Sequence, residues 1–465
     1  MMFGTQKKEI IAEYVYLHHT MTTATSGEPK QLAINSEKEN LRREIGVRAL
    51  TLAILNIIVG TGIFVLPALI AETLGAASII AYIICGVLIS LIALCFAEVG
   101  SKVTVTGGAY AYIEAAFGPF AGFFANYMFW FGSAVFSDAA VANGLFDTLK
   151  LIFPSIDNEV FRIVFFAVLF CILAFINIRS LKNGVRFIEF AAVGKLIPLA
   201  LFIILGAGFI STKNLVWTSI PSLTSVGSAS LLLFFAFIGM ETPVTNGGEI
   251  KNPKRTIPLA IFFGISLVLI LYIAIQLVTQ GILGNAILQH KTAPLAAAAG
   301  VVFGSAGATI ILIATIISML GYLGGEVLSI PRILYAGARN KQLPKVFSTV
   351  HSKFLTPHYA IIVYAFLDFV ISVSGELQQL IIISSASILL IYLGVVLATI
   401  KLRKKTATNS EKTFRIPGGI IIPVLAVCVI VWLLAHLTKK EFLYEGIFIA
   451  AFCVIYIVMK LAKKK

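Results

Sequence analysis

Twelve apolar runs of about 20 residues, separated by short polar connections, dominate the chain. They fall near 48–72, 77–99, 119–149, 159–178, 185–210 and 226–248. The rest lie near 257–281, 305–337, 358–374, 377–401, 418–435 and 443–461. Each is long enough for a helix to cross a bilayer, and too long and continuous for a barrel strand. The pattern predicts an all-α polytopic membrane protein with twelve transmembrane helices, preceded by a polar tail over 1–46. Two runs are interrupted. In the first, the stretch from Asn56 to Phe64 places Gly60, Thr61 and Gly62 at mid-depth, and glycine is among the poorest residues for a helix interior. In the sixth, Phe237-Ile238-Gly239-Met240 forms a second break. Backbone that leaves a helix inside a membrane is tolerated only where protein buries it or where it lines a cavity. Both breaks are therefore expected to face a site.

Composition agrees with the pattern. Of 465 residues, 58% are hydrophobic and 12% charged, and the mean hydropathy is +0.96, far from a soluble domain. The formal charge of +14 raises the question of nucleic acid, but the basic residues fall between the apolar runs, where they report topology instead. Lys102, the Arg179–Arg186 and Lys251–Arg255 groups, the Arg332–Lys353 and Lys401–Arg415 groups and Lys460 to Lys465 lie on one side. The other side holds only Lys150, Arg162, Lys213, Lys291, Lys439 and Lys440. That asymmetry puts both termini in the cytoplasm. All five cysteines sit inside apolar runs, with neither a disulfide framework nor metal-ligand spacing. No cleavable signal peptide is recognisable, the tail reads as mobile, and Met21 is an alternative start.

With this topology, helices one to five and six to ten read as two copies of opposite orientation, spanning 47–215 and 216–404. A C-terminal pair of helices and a short basic tail follow over 405–465. The first helix of each copy is the interrupted one, and paired interruptions in corresponding positions point to a midplane site in inverted-repeat transporters. The bland alternative is that the glycines only let helices pack closely.

Four stretches carry a family resemblance: GTGIF with Pro67, GGAYAYIEAAFGPFAGF over 107–123, FFAFIGMETPVTNGGEIKNPKRTIPLAI over 234–261, and PRILYAGARNKQLPKVF over 331–347 with Thr356-Pro357-His358. In this order they resemble an amino acid permease of the amino acid–polyamine–organocation superfamily, from about Arg48 to Arg403. The resemblance implies a five-plus-five inverted-repeat fold that carries amino acids or related amines by alternating access. Amides of Thr61, Gly62 and Ile63 can hold a carboxylate as a helix N-terminus does. Carbonyls of Ile57, Ile58, Phe235, Ala236 and Ile238 can accept from an ammonium group. By resemblance, these are the positions of the substrate's α-carboxylate and α-amine. Such backbone recognition reads only what all α-amino acids share. Phe235 and Phe237 border the second break and are expected to shape the pocket, whereas Phe129, Trp130 and Phe234 are expected to pack.

Ionisable residues at mid-depth are functional candidates by default. Lys195 lies halfway along the fifth helix, where some family members have a lysine standing in for a sodium ion. The resemblance implies proton coupling, with the protonated amine bracing the first helix. Glu326 stands where some relatives carry an aromatic residue facing substrate. It is expected to pair with Lys195, the alternative being selection for a cationic or polar substrate. Ser329, one turn on, is a further partner for Lys195. Glu241, in the family's Gly-x-Glu pattern, either ties the second half-helix to nearby backbone or serves a proton path. Asp138 and Asp368 are expected to make structural hydrogen bonds. Glu249, Asn252, Pro253, Lys254 and Arg255 are expected to form an inner gate, with Glu98, Glu114 and Glu189 near the same surface.

These features predict a plasma-membrane secondary transporter for amino acids, coupled to protons, with the lipid bilayer as its setting. No cofactor, metal or nucleic acid is implied. No nucleophile–base pair, phosphate loop or ATPase motif supports an enzyme or a primary pump. The alternatives are an amino acid/amine exchanger on the same fold and a non-transporting amino-acid sensor.

Overall fold

The computed structural model describes residues 45–103, 107–179, 181–217, 219–244, 250–339, 343–405 and 414–462. The expected mobile tail, with Met21, lies outside them apart from its last two residues. Among the described residues there is no strand, only an isolated parallel bridge between Ile45 and Ile250. Among the described residues, seven helices are long and apolar enough to cross a membrane, and four shorter apolar helices of 10–17 residues accompany them.

In chain order, α1 (Val47–Ile58) and α2 (Gly62–Leu74) form the interrupted first run, followed by α3 (Ile79–Lys102). The motif over 107–123 folds as α4 (Gly108–Phe117) and the start of α5 (Pro119–Tyr127). A π-helical segment, Met128–Val135, then joins α5 to α6 (Phe136–Ile152) within the third run. Next come α7 (Glu159–Arg179), α8 (Leu181–Gly206) and α9 (Leu223–Phe234), which is capped by Ser222 Oγ accepting from the Ser225 amide at 3.0 Å. The sixth run breaks through a 3-10 turn, Phe235–Phe237, and resumes at α10 (Glu241–Val244). After it lie α11 (Pro253–Leu283), α12 (Pro294–Arg339), α13 (His358–Ser374), α14 (Leu377–Lys405), α15 (Ile421–Leu434) and α16 (Lys439–Ala462).

Helix ends follow backbone chemistry more than hydropathy. The α12 backbone departs from helix at Gly304 (φ 67°, ψ −163°), so its longer part starts where the apolar run does. The last helix begins at Lys439, four residues before the expected 443, because Thr438 and Glu441 form a capping box. The Thr438 amide donates to Glu441 Oε2 (2.7 Å), and the Glu441 amide donates to Thr438 Oγ1 (3.4 Å).

Buried share separates inner from outer helices: 72% of the most apolar window is buried in α14 and 11% in α16. At the far end of α3, the fully buried Glu98 carboxylate accepts from Lys102 Nζ (2.8 Å), Arg403 Nε (2.7 Å) and the Ile416 amide (3.0 Å), with a further short bond from Arg403. It ties α3 to α14 and to the segment before α15. Removing one member of such a buried set strands the others. Glu98→Ala is expected to cost about 3 kcal/mol, read as a lower melting temperature in detergent; an unchanged melting temperature would show that the carboxylate bears no part of the packing.

Candidate functional site

The first break leaves carbonyls that α-helical bonding no longer satisfies, and buried carbonyls require donors. Val59 caps α1 by donating to Leu55 O (3.0 Å), and the Gly60 amide turns back to Ile58 O (2.6 Å). Three other helices supply side-chain donors. Lys195 Nζ of α8 donates to Asn56 O at 2.6 Å, and Ser318 Oγ of α12 donates to Gly60 O at 3.3 Å. Tyr272 Oη of α11 lies 2.7 Å from Ile58 O and 2.8 Å from Ala236 O, touching both breaks at once. A tyrosine hydroxyl has one proton to give, so the two carbonyls share it.

The second break is held similarly. Gly239 has φ +120°, a conformation that suits glycine, and its amide donates to Glu241 Oε2 at 3.2 Å. Tyr392 Oη of α14 makes a short bond to the same oxygen. Of the two expected roles for Glu241, tying the second half-helix to nearby backbone is visible directly. The breaks also touch: a Cβ on Gly62 would stand 2.9 Å from Ala236 Cα.

Two small cavities lie beside this crossing. One, about 70 Å³, is lined by Asn56, Ile57, Ala191, Lys195, Thr242, Gly321, Tyr322, Gly325, Glu326 and Ser329. The other, about 20 Å³, is lined by Ile57, Phe129, Ser133, Ala134, Ser137, Ile238, Gly239, Glu241, Thr242, Tyr322 and Glu326. Lys195, Glu326 and Ser329 thus come together at the first cavity, and Ile57, Ile238, Glu241 and Glu326 at the second.

Several expectations meet a different geometry. Lys195 and Glu326 face the same cavity but form no ion pair within 4.0 Å, and Ser329 makes no hydrogen bond to Lys195. The carbonyl of Asn56, stripped of its helical donor, accepts from Lys195 Nζ instead. The carbonyls of Ile58 and Ala236 are engaged by Tyr272, and that of Phe235 accepts from the Ile238 amide (3.3 Å). The amides of Thr61, Gly62 and Ile63 have no backbone acceptor among the described residues. Phe235 and Phe237 line neither cavity, and Phe237 packs edge-on against Tyr272 at 5.1 Å. Phe129 and Tyr322 supply the aromatic surface there. Asp138 accepts from Tyr364 Oη (3.0 Å), whereas neither carboxylate oxygen of Asp368 has a partner among the described residues. Asn252, with φ 43°, precedes Pro253, and Pro253, Lys254 and Arg255 open α11. Glu249 and the side chain of Glu189 lie outside the described residues.

Sequence reasoning overlooked Tyr272 and Tyr322. Each is a tyrosine within an apolar run, and its hydroxyl at membrane depth is the one signal available, since a buried hydroxyl needs a partner.

The chain matches the family model described as "Amino acid permease" over residues 45–459. It is 31% identical over 415 residues to the serine/threonine exchanger of Bacillus subtilis, covering 85% of this chain and 91% of that protein. It is 27% identical over 443 residues to the methylthioribose transporter of the same organism, covering 91% and 95%. The mouse b(0,+)-type amino acid transporter 1 is 26% identical over 437 residues, covering 90% and 88%. Each is named for transport or exchange.

The shared hydroxyl yields a direct test. Tyr272→Phe leaves two buried carbonyls without their side-chain donor and is expected to destabilise the protein by about 1–3 kcal/mol. Thermal unfolding in detergent measures it, and a melting temperature equal to that of the unaltered protein would remove Tyr272 from the support of the breaks.

Proposed function

The chain belongs to the amino acid permease family of the amino acid–polyamine–organocation superfamily, and on that premise we propose that it is a secondary transporter of amino acids working by alternating access. The observation that carries the reading is the meeting of two interrupted helices beside cavities that reach Lys195 and Glu326. Amides at Thr61, Gly62 and Ile63 hold the substrate carboxylate. The carbonyls at Ile57 and Ile238 take its ammonium group, joined by Ile58 or Ala236 when Tyr272 turns to the other. Glu326, with Phe129 and Tyr322, meets the rest of the substrate.

The fold we infer has twelve spans, with 47–215 and 216–404 as inverted repeats and the remaining helices appended, in the plasma membrane with both termini inside. The placing of the breaks at the start of each repeat supports it, as does the charge asymmetry of the connections. The family and the relatives' names point to transport and away from an enzyme.

Coupling runs through Lys195. While protonated it holds Asn56 O and braces α1; proton loss weakens that bond and frees the half-helix. A second reading, exchange of one amino acid for another or for an amine, is favoured by the relative named as a serine/threonine exchanger. The two separate by whether uptake requires internal substrate and survives collapse of the proton gradient. A relative named for methylthioribose makes substrate identity an experimental matter.

Purified protein screened by thermal shift across the amino acids and common polyamines is expected to be stabilised by a subset of α-amino acids, because ligand bound to the folded state raises apparent stability. Stabilisation by none of them would sink the amino-acid reading. Lys195→Ala is expected to flatten the pH profile of uptake, which in the unaltered protein rises as the outside becomes more acidic. A profile that keeps its slope would remove Lys195 from coupling.

A further inference from the structure

The outer helix α16 carries a buried acid that the transport site leaves unexplained. Glu445 is 4% exposed; its Oε1 accepts from Ser387 Oγ of α14 at 2.9 Å, and its Oε2 has no partner among the described residues. An ionisable group at membrane depth is a functional candidate. No cation lies within 4.0 Å of it among the described residues. The acid one turn before it on α16, Glu441, is committed to the helix cap. Among the helices beside α16, α14 brings Ser387, and α5 brings Tyr127, whose ring lies 5.2 Å from Phe452 further along.

Ser387 is the first of a row of hydroxyls leading inward. Ser384, one turn away on the same face of α14, donates to Ser133 O (2.9 Å) and lies 3.5 Å from Ser133 Oγ. Ser133 belongs to the π-helical segment and lines the smaller cavity. Four residues on, Ser137 shares a 2.7 Å bond with Tyr322 Oη, and one turn beyond Tyr322 stands Glu326. The row alternates interhelical hydrogen bonds with steps of one helical turn. The π segment lies where it crosses the third run, and such segments recur at functional sites. Gly132 makes the crossing close: a Cβ there would stand 2.7 Å from Ser387 Oγ.

We propose that Glu445, Ser387, Ser384, Ser133, Ser137 and Tyr322 form a proton relay from the outer edge of the bundle to Glu326. A hydroxyl both accepts and donates, so each can take a proton on its oxygen and release its own to the next. When Glu445 Oε1 is protonated, the Ser387 hydroxyl turns from donor to acceptor, takes that proton and releases its own inward, and the last transfer protonates the Glu326 carboxylate. Glu445 returns to its ionised form, so one proton moves and none is gained or lost. The inner one-turn steps use the cavity of about 20 Å³ lined by Ser133, Ser137, Tyr322 and Glu326, which has room for one water, and the Ser387–Ser384 step is inferred from their one-turn spacing. The proposal rests on the proton-coupled reading above and adds a supply route separate from Lys195.

The test uses the full chain in liposomes holding a pH-sensitive dye, with the amino acid identified by thermal shift. Two readouts are followed: exchange of labelled amino acid without a proton gradient, and internal acidification during net uptake. Glu445→Gln and Ser387→Ala are each expected to keep exchange while slowing acidification about a hundredfold, the lower end of what a positioned proton-transfer group contributes. Glu445→Asp is expected to recover part of it. Acidification at the unaltered rate in Glu445→Gln and Ser387→Ala would overturn the relay and leave proton coupling standing. Loss of exchange together with acidification in both variants would overturn it too, assigning the row to packing. Unaltered protein that exchanges without acidifying overturns the coupling reading, and the relay with it.

Discussion

A helix opened inside a bilayer exposes carbonyls that water cannot reach, and the rest of this structure depends on how they are satisfied. Asn56, Ile58 and Gly60 point their oxygens to donors from α8, α11 and α12. Ala236 in the other break draws on the same tyrosine as Ile58. Each donor is a side chain, so each bond can be released without unfolding a helix. Each comes from a different run, so the break is tied to much of the bundle. A net hydrogen bond in such a place contributes modestly, yet leaving the carbonyl bare costs more. The arrangement therefore favours exchange of donors over loss of them.

How far the sequence foretells this varies with the physics involved. Long apolar runs and the glycines at 60, 62 and 239 register in the residues themselves, because span length and poor helix propensity are local properties. Lys195 is legible for the same reason: a charge within an apolar run must do something. Its partner is not. Both Glu326 and the opened backbone at Asn56 were available, and only the folded arrangement decides between them. The helix start at Lys439 is written in Thr438 and Glu441, though hydropathy alone overlooks it. The π segment leaves no such trace; it lies where α14 crosses Gly132, two parts of the chain far apart in sequence. Tyr272 and Tyr322 look like packing until their hydroxyls are located.

The buried acids sort by what surrounds them. Glu98 gathers cations and an amide at the end of α3, and Glu241 organises a backbone turn with Tyr392. Glu326 lines both cavities. Similar chemistry thus serves as clamp, turn support and cavity wall, and the neighbours decide which. Hydroxyls fill the spaces between: serines on α14, the π segment and α6 make polar contacts from α16 to the centre without a further charge. The apolar exterior and this polar interior coexist because the hydroxyls satisfy one another across helices.

The near contact of Gly62 with Ala236 bears on how loss-of-function variants at the first break are to be read. Any side chain at position 62 collides with the backbone of the second break before it can reach a bound molecule. A saturation scan there will report intolerance at every substitution, large or small, charged or apolar. That uniform failure is the signature of two main chains pressed together, and it carries no information about what the protein transports. Positions on the cavity walls, where side chains already have room, are where a scan can discriminate one substrate from another.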